Sequence, residues 1–245
     1  MKIALIGYGK MGHEIEKVAN ERNHEIVLIV DKDSSQMLTT EALSRAEVAI
    51  EFSTPESAFA NVTACINAHT PVVCGTTGWL DKLEEVKKLL AENDGSLFYA
   101  SNYSLGVNLF FKMNEILAQV LSSTSNGYTP SIQEIHHTQK LDAPSGTAIT
   151  LAEIVSHNLH LNGWSLLPST EEGKIPIEAI REGNVPGTHT ITYQSEQDEL
   201  ILTHKAKSRR GFALGAVIAA EYTAANKGFL TMDNLLSFPI INKKG

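Results

Sequence analysis

Short apolar runs and stretches of helical spacing alternate along the first hundred residues of the chain. The apolar runs are nearly continuous, which is typical of parallel strands that are buried on both faces. Most runs are followed by a segment with the spacing of an amphipathic helix. The predicted strands are Lys2–Ile6, Glu25–Val30, Val48–Phe52, Pro71–Cys74 and Ser96–Ala100, and the predicted helices are Met11–Arg22, Glu56–Ala68 and Leu80–Glu92. This order predicts an α/β fold with a doubly wound parallel sheet.

The pattern changes after Tyr103. Here the predicted elements are a helix over Val107–Leu121, a strand over Ile132–His136, a helix from about Ser145, a polar and turn-rich segment over Asn162–Val185, and an antiparallel hairpin of His189–Gln194 with Glu199–His204. A last helix over Gly211–Ala224 is expected to return to the first sheet, and the apolar tail Asn234–Ile241 is expected to dock,. We therefore predict one domain from residues 1–104 and 212–245, and an inserted α+β domain from residues 105–211 with a mixed or antiparallel sheet.

Composition and charge narrow the class of protein. The 245 residues are 42% hydrophobic and carry a net charge of −8. An acidic chain is disfavoured as a partner of nucleic acid or of an anionic membrane, because both depend on neutralising phosphate charge. There are only two cysteines, and no apolar run approaches the ~18 residues of a membrane span,. With no signal peptide recognisable at the N-terminus, we expect a cytoplasmic protein.

A glycine-rich loop lies where the first predicted strand meets the first predicted helix. Its sequence is Gly7-Tyr8-Gly9-Lys10-Met11-Gly12. In this context the first glycine permits a tight turn, the second lets the backbone approach a pyrophosphate, and the third lets helix and strand pack closely. Asp31 follows the second strand, where an acid binds the hydroxyls of an adenosine ribose,. The two features together predict dinucleotide binding, although either alone also fits an ordinary turn.

Other predicted strands also end in small and polar residues. Because ligands bind at the carboxyl ends of parallel strands, these stretches are candidates for contacts with a nicotinamide ribose and carboxamide. A generic loop has a similar composition, so each stretch alone is ambiguous. The stretches are Phe52–Pro55, then Gly75, Thr76 and Thr77, and finally Ala100, Ser101, Asn102 and Tyr103.

Two adjacent histidines and a lysine lie at and just after the end of the strand predicted over Ile132–His136. His136, His137 and Lys140 are followed by Pro144 and a Ser-Gly-Thr group at the start of a helix. Unpaired amides at a helix N-terminus bind carboxylates, and histidine exchanges protons near neutral pH. This combination predicts acid–base chemistry on an anionic substrate.

Two other interpretations of these histidines exist. One interpretation makes His136, His137, His189 and His204 zinc ligands, but the chain has no HExxH spacing and no cysteine pair, so we expect no metal,. A purely structural histidine pair is the other interpretation.

The sequence from Glu134 to Ala148 resembles the signature E-x-H-H-x-x-K-x-D-A-P-S-G-T-A of the 4-hydroxy-tetrahydrodipicolinate reductase family at every fixed position. Further similarities are the glycine loop, Gly75–Gly78, Asn102–Asn108, the Arg181-x-Gly183 stretch that leads to His189, and the segment from His204 to Phe212. The resemblance covers essentially the whole chain. It implies an NAD(P)H-dependent oxidoreductase of lysine biosynthesis with a Rossmann-like domain and a substrate-binding and oligomerisation domain.

The resemblance also implies roles for individual residues. It makes His136 and Lys140 the catalytic proton donors, and it places His137, Gly146 and Thr147 against a small dicarboxylate substrate. It assigns cofactor contacts to the glycine loop, to the acid after the second strand, and to the Gly75–Thr77 and Ala100–Tyr103 stretches. By analogy with the family, the chain is expected to form a homotetramer.

The choice between NADH and NADPH is left open by the sequence. Asp31 favours NADH because a carboxylate repels a 2′-phosphate, whereas Lys32, with Lys10 nearby, favours NADPH,. Pro186 and Thr188 also depart from the family pattern. Two other functions are considered: another two-domain NAD(P)-dependent oxidoreductase, and a non-catalytic dinucleotide sensor. A sensor needs no proton donors. A semialdehyde dehydrogenase would need a cysteine nucleophile in its catalytic loop, and neither Cys65 nor Cys74 lies near the His–Lys segment in sequence.

Overall fold

The structure of the protein is a computed structural model that describes residues 1–123 and 127–236. These described residues divide into two compact units, of which the first comprises Met1–Ser104 and the described chain from Arg210 to residue 236, and the second lies within Leu105–Arg209. Most of the predicted docking tail, from residue 237 on, lies outside the described residues. Within the described ranges, no helix is both long and apolar enough to cross a membrane.

The first unit contains a six-stranded parallel sheet. Its strand order is β11-β5-β4-β3-β1-β2. Numbered along the chain, the strands are β1 (Lys2–Ile6), β2 (Glu25–Val30), β3 (Val48–Glu51), β4 (Val72–Cys74), β5 (Ser96–Tyr99) and β11 (Gly228–Leu230). All residues of β3 and β4 are buried, because helices cover both faces,. The predicted doubly wound sheet is therefore confirmed.

Helices follow most of these strands. They are α1 (Lys10–Glu21), α2 (Thr40–Leu43), α3 (Pro55–Asn67), α4 (Leu83–Asn93), α7 (Arg210–Ala224) and α8 (Met232–Leu235), with 3₁₀ turns at Lys32–Met37 and Leu80–Lys82. Helix α7 packs closely on the segment that follows β5. A Cβ on Gly215 would lie 1.7 Å from the carbonyl oxygen of Tyr103, so only glycine fits there,.

The second unit is an α+β fold with a mixed five-stranded sheet, in the order β10-β9-β6-β8-β7. Its elements are α5 (Leu105–Ser122), β6 (Thr129–His136), α6 (Gly146–Leu159), β7 (Trp164–Leu166), β8 (Ile175–Arg181), β9 (Thr188–Gln194) and β10 (Glu199–Lys205). Strand β6 pairs parallel with β8 and antiparallel with β9. Strands β9 and β10 pair antiparallel, which confirms the predicted hairpin.

Three strands differ from the prediction. The segment Asn162–Val185 is not simply turn-rich, since it contains β7 and β8, and β11 was not predicted. Strand β7 is only three residues long, and Pro176 near the start of β8 obscures the alternation of Ile175 and Ile177, both fully buried,. Strand β11 has three residues and begins with glycine, so its sequence carries little strand signal,.

Candidate active site

The glycine loop forms a backbone cradle between β1 and α1. Gly7 has φ +91°, and a Cβ there would lie 2.0 Å from the carbonyl oxygen of Phe52. A Cβ on Gly12 would lie 2.5 Å from the carbonyl oxygen of Gly7, whereas nothing lies within 4 Å of the corresponding position on Gly9. The first and third glycines thus permit close packing, and the second leaves open space at the start of α1. This cradle fits a dinucleotide pyrophosphate.

Asp31 is held next to this loop. The backbone amide of Tyr8 donates a 3.4 Å hydrogen bond to Asp31 Oδ1, and the Tyr8 hydroxyl donates to Glu16. Asp31, Lys32 and Lys10 are all exposed. A carboxylate and two ammonium groups therefore lie at or near the end of β2 and the start of α1, where the adenosine ribose was predicted.

A pocket of about 270 Å³ brings part of the glycine loop together with the third and fourth strand ends. Thr76 Oγ1 accepts a 2.8 Å hydrogen bond from the backbone amide of Ser53, which ties the ends of β3 and β4 together. The residues that line this pocket are Met11, Phe52, Ser53, Pro55, Gly75, Thr76 and Thr77. Four predicted cofactor residues thus share one cavity with part of the Phe52–Pro55 stretch.

The stretch after β5 is anchored to the core by Tyr103. This side chain is 2% exposed, and its hydroxyl donates a 2.8 Å hydrogen bond to the carbonyl of Cys74. Ser101 is exposed, and Asn102 Oδ1 accepts a 2.9 Å hydrogen bond from the amide of Ser104. The Tyr103 ring is therefore part of the interior, whereas Ser101 is open to solvent.

Glu51, at the end of β3, is a polar core residue that sequence reasoning missed. Its side chain is fully buried, and Oε1 accepts hydrogen bonds from the Ser53 amide at 3.2 Å and from Asn61 Nδ2 at 3.3 Å. The Cys74 thiol donates to Oε2 at 3.1 Å. Burial, followed by the Glu51 charge, raises the pKa of Cys74 well above its usual range. These bonds fix the loop that lines the pocket.

In the second unit, Glu134 and His136 share the buried face of β6 because strand residues two apart point the same way,. Glu134 is fully buried and His136 is 8% exposed, whereas His137, the next residue, is half-buried. His136 Nδ1 lies 3.0 Å from Glu134 Oε2. The structure thus places a carboxylate directly behind the histidine that the sequence singled out.

Arg181 fixes the segment between β6 and α6. Its guanidinium donates to the carbonyl of Lys140 at 3.3 Å, to the carbonyl of Asp142 at 2.6 Å and to Glu134 Oε1 at 3.0 Å. Lys140 Nζ makes an ion pair of 2.7 Å with Asp142 Oδ2, and this contact lowers the pKa of Asp142. Sequence reasoning gave Arg181 no role, and the only signal was its match to the family pattern.

The N-terminus of α6 begins directly after Ser145. Ser145 Oγ accepts a 3.3 Å hydrogen bond from the amide of Ala148 and shares a 3.0 Å hydrogen bond with His189 Nε2. Gly146 and Thr147 occupy the first turn, where amides lack intrahelical acceptors, and nothing lies within 4 Å of a Cβ position on Gly146,. Burial lowers the pKa of His189 to about 4. A neutral His189 therefore supports a helix start that can receive a carboxylate.

Ligand atoms of Glu134, His136 and His189 lie within 4.8 Å of one another. Three such donors resemble a metal site, for which the sequence gave no spacing signal. Arg181 already brings a positive charge to 3.0 Å from the Glu134 carboxylate. A second cation at this carboxylate would be repelled, so the cluster fits a proton network better than a metal centre.

Comparison with known families decides what this arrangement is. Residues 1–103 match the family model "Dihydrodipicolinate reductase, N-terminus", and residues 106–236 match "Dihydrodipicolinate reductase, C-terminus". The chain belongs to the dihydrodipicolinate reductase family. This membership confirms the predicted family, the enzyme class of NAD(P)H-dependent oxidoreductase, and the use of NADH or NADPH.

Individual relatives of this reductase family agree over nearly the full length. The chain is 50% identical to the 4-hydroxy-tetrahydrodipicolinate reductase of Christiangramia forsetii, with 97% of this chain and 98% of that protein covered. It is 34% identical to the Staphylococcus saprophyticus enzyme of the same name, with 96% and 100% covered. A dipicolinate-bound dihydrodipicolinate reductase from Paenisporosarcina sp. TG-14 superposes with a TM-score of 0.78 at 22% identity over 94% and 97% of the two chains, which confirms the fold.

Proposed function

We propose that the chain reduces 4-hydroxy-tetrahydrodipicolinate with NADH or NADPH in the diaminopimelate route to lysine. Relatives that carry this name match over 97% and 96% of the chain. The observation that carries the proposal is the second unit's His136–Lys140 segment, which Arg181 holds by the carbonyls of Lys140 and Asp142. Neither a different oxidoreductase nor a dinucleotide sensor accounts for this segment within this family.

The first unit is proposed to bind the cofactor. Residues Gly7–Gly12 hold the pyrophosphate, Asp31 and Lys32 contact the adenosine ribose, and the pocket of Gly75–Thr77, together with Ala100–Asn102, receives the nicotinamide half. Bound NADH or NADPH supplies a hydride to the substrate. The fit of the cofactor to this unit rests on the backbone cradle at Gly7, which a side chain would fill.

The second unit is proposed to bind the substrate and to supply protons. Amides of Gly146 and Thr147, with His137, hold a substrate carboxylate at the start of α6. Reduction consumes one hydride and one proton and releases the 4-hydroxyl as water. The 4-hydroxyl leaves as water together with a proton from the neighbouring ring carbon, which produces a conjugated imine. Hydride then adds at C4, and a proton returns to that neighbouring carbon, with His136 and Lys140 as the proposed donors.

The predicted homotetramer and cytoplasmic location are also proposals. The face of the second sheet that carries Ser131 and Gln133 is exposed, and Ile201 on this face is 55% exposed. An exposed sheet face that carries an isoleucine on its edge strand β10 supports association with other copies of the chain,. Light scattering of the native protein should give the mass of four chains, and Ile201→Glu should lower that mass. A monomeric native protein would contradict this assignment.

The activity is tested by following nicotinamide oxidation with freshly prepared substrate. His136→Ala and Lys140→Met should each lower kcat by about 10²- to 10⁴-fold with smaller changes in KM. Lys174→Met is the matched control, because Lys174 makes a similar 2.7 Å ion pair with Glu171 in the same unit. Unchanged kcat in both site variants would remove the assigned roles, and no substrate-dependent oxidation by the native protein would refute the activity.

A further inference from the structure

Glu134 is buried next to His136, the histidine proposed above to transfer a proton to the substrate. Its side chain has no exposed surface, and Oε2 lies 3.0 Å from His136 Nδ1. Among the described residues, neither buried atom makes a hydrogen bond of full geometry with any group, and at 3.0 Å they are within hydrogen-bond distance of each other. A buried polar atom without a partner is costly, so the two atoms are each other's natural partners.

The other carboxylate oxygen is held by two fixed donors. Glu134 Oε1 accepts hydrogen bonds from Arg181 Nη2 at 3.0 Å and from the amide of Ser145 at 3.1 Å. Burial acts to raise the pKa of Glu134, but the close approach of His136 and the hydrogen bonds from Ser145 and Arg181 outweigh it and hold that pKa at about 2. The carboxylate is therefore ionised at neutral pH and cannot rotate away without breaking both bonds to Oε1.

The opposite nitrogen of His136 faces backbone that carries no side chain. An ideal Cβ on Gly187 would lie 3.1 Å from His136 Nε2, and Gly187 itself has none. An imidazole with one nitrogen bonded to a carboxylate presents the other nitrogen in a fixed protonation state. This arrangement is the one that a proton-transferring histidine needs.

We propose that Glu134 is a positioning residue, which accepts the Nδ1 proton of His136 and thereby keeps Nε2 free to exchange a proton with the substrate. The proposal rests on the proposed function, because it assigns Nε2 to the proton transfer described above. Glu134 has no exposed surface, so it acts through His136. Arg181 and Ser145 hold the carboxylate in place, so β6, β8 and α6 all converge on one histidine.

The first test is nitrogen-15 NMR of the histidine rings in the free native protein. At a pH where His136 is neutral, Nδ1 should carry the proton and Nε2 should not. Glu134→Gln should change this pattern, while the matched variant Glu178→Gln should not, because Glu178 is an exposed glutamate on β8 that accepts from Gln133 at 2.7 Å. A native His136 with its proton on Nε2 overturns the proposal, whether or not the protein turns over the substrate.

The second test is a double-mutant cycle on kcat. Glu134→Gln should lower kcat by about 10- to 100-fold with KM for substrate nearly unchanged. In the His136→Ala variant, the same change should lower kcat by less than a further factor of about 2. Full additivity of the two losses would show that Glu134 acts on folding or on α6 rather than through His136, and would overturn the proposal. If Glu134→Gln does not fold, Glu134→Asp keeps the charge but draws it away from Nδ1, and the same non-additivity is expected.

Failure of the proposed function looks different. In that case the native protein shows no substrate-dependent oxidation, while the NMR pattern still reports on the pair of Glu134 and His136. Loss of activity in His136→Ala with full activity in Glu134→Gln would instead keep the function and reject the positioning role.

Discussion

The backbone amide of Tyr8 donates a hydrogen bond of 3.4 Å to Oδ1 of Asp31, so the glycine loop and the end of β2 are joined. Asp31 is exposed, and Lys32 follows it at the start of a 3₁₀ turn. A negative and a positive side chain therefore stand side by side where the adenosine ribose of the cofactor is proposed to bind. We propose that this juxtaposition sets the choice between NADH and NADPH.

Both cofactors should support turnover, with values of kcat/KM within about one to two decades of each other. Lys32→Ala should selectively lower kcat/KM for NADPH, because it removes a charge that pairs with the 2′-phosphate. Asp31→Asn should selectively lower kcat/KM for NADH, because it weakens the hydrogen bonds from the ribose hydroxyls to this side chain. Initial rates with each cofactor at saturating substrate measure both effects.

Lys88→Ala is the control for loss of a surface charge, since Lys88 lies on α4 and makes only a 4.0 Å contact with Glu92. An unchanged NADPH-to-NADH ratio in Lys32→Ala would mean that Lys32 is only a solvated turn residue.

The sequence predicted best those elements whose structure depends on residues that are neighbours along the chain. The apolar runs of the first unit specify strands buried on both faces, and β1 and β2 match their predicted bounds. The contacts around Glu134 could not be predicted, because Arg181 lies 47 residues away and reaches Glu134 only through the register of β6 on β8. That register depends on two strands pairing in parallel, which the local pattern of β8 does not specify.

Tyr103 shows the same limit on the cofactor side. Its position in a family stretch after β5 pointed to a ligand contact, but its ring is buried and its hydroxyl binds the Cys74 carbonyl. Sequence identifies which loop lies at the strand end, whereas the direction of each side chain depends on packing against β4.

Thr147 should affect substrate binding alone. It lies in the first turn of α6, so Thr147→Val keeps the shape and the backbone amide but removes the hydroxyl. The loss of one hydrogen bond to a carboxylate should raise KM for the substrate by about 10-fold. Cofactor affinity, measured by nicotinamide fluorescence, should not change. Thr150→Val, one turn further along the same helix, is the control, and an equal loss of cofactor binding would mean that the carboxylate site is misplaced.

The stability of the protein should depend on His189 in mild acid. Burial lowers its pKa to about 4 in the folded state, against 6.5 in the unfolded chain. The unfolded state therefore binds more protons between these values, and the free energy of unfolding should be highest above pH 6.5 and fall by up to about 3 kcal/mol as the pH drops towards 4. Glu134, with a pKa of about 2 in the folded state, adds its own loss only below about pH 4.5,.

Urea denaturation at pH 7.5, 6.0 and 5.0 measures this dependence. His189→Gln should be less stable at pH 7.5, since it perturbs the contact with Ser145, but its stability should fall less between pH 7.5 and 5.0. An identical slope in the variant and the native protein would show that His189 is not the group that titrates.

Gly187 should be required for proton transfer rather than for folding. It has φ +152°, and a methyl group there would stand 3.1 Å from His136 Nε2 and 3.4 Å from its Cδ2. Gly187→Ala should therefore crowd the nitrogen that exchanges the proton and lower kcat by about 10-fold or more.

Gly183→Ala separates this effect from backbone strain, because Gly183 has φ +47° with nothing within 4 Å of its Cβ position. Both variants should lose about 1 kcal/mol or more of stability from the positive φ, but only Gly187→Ala should lose turnover among molecules that remain folded. Steady-state kcat with the free energy of unfolding of each variant measures the two effects apart. Equal losses of kcat in both variants would attribute the effect to strain in the loop and would remove Nε2 from the proposed proton path.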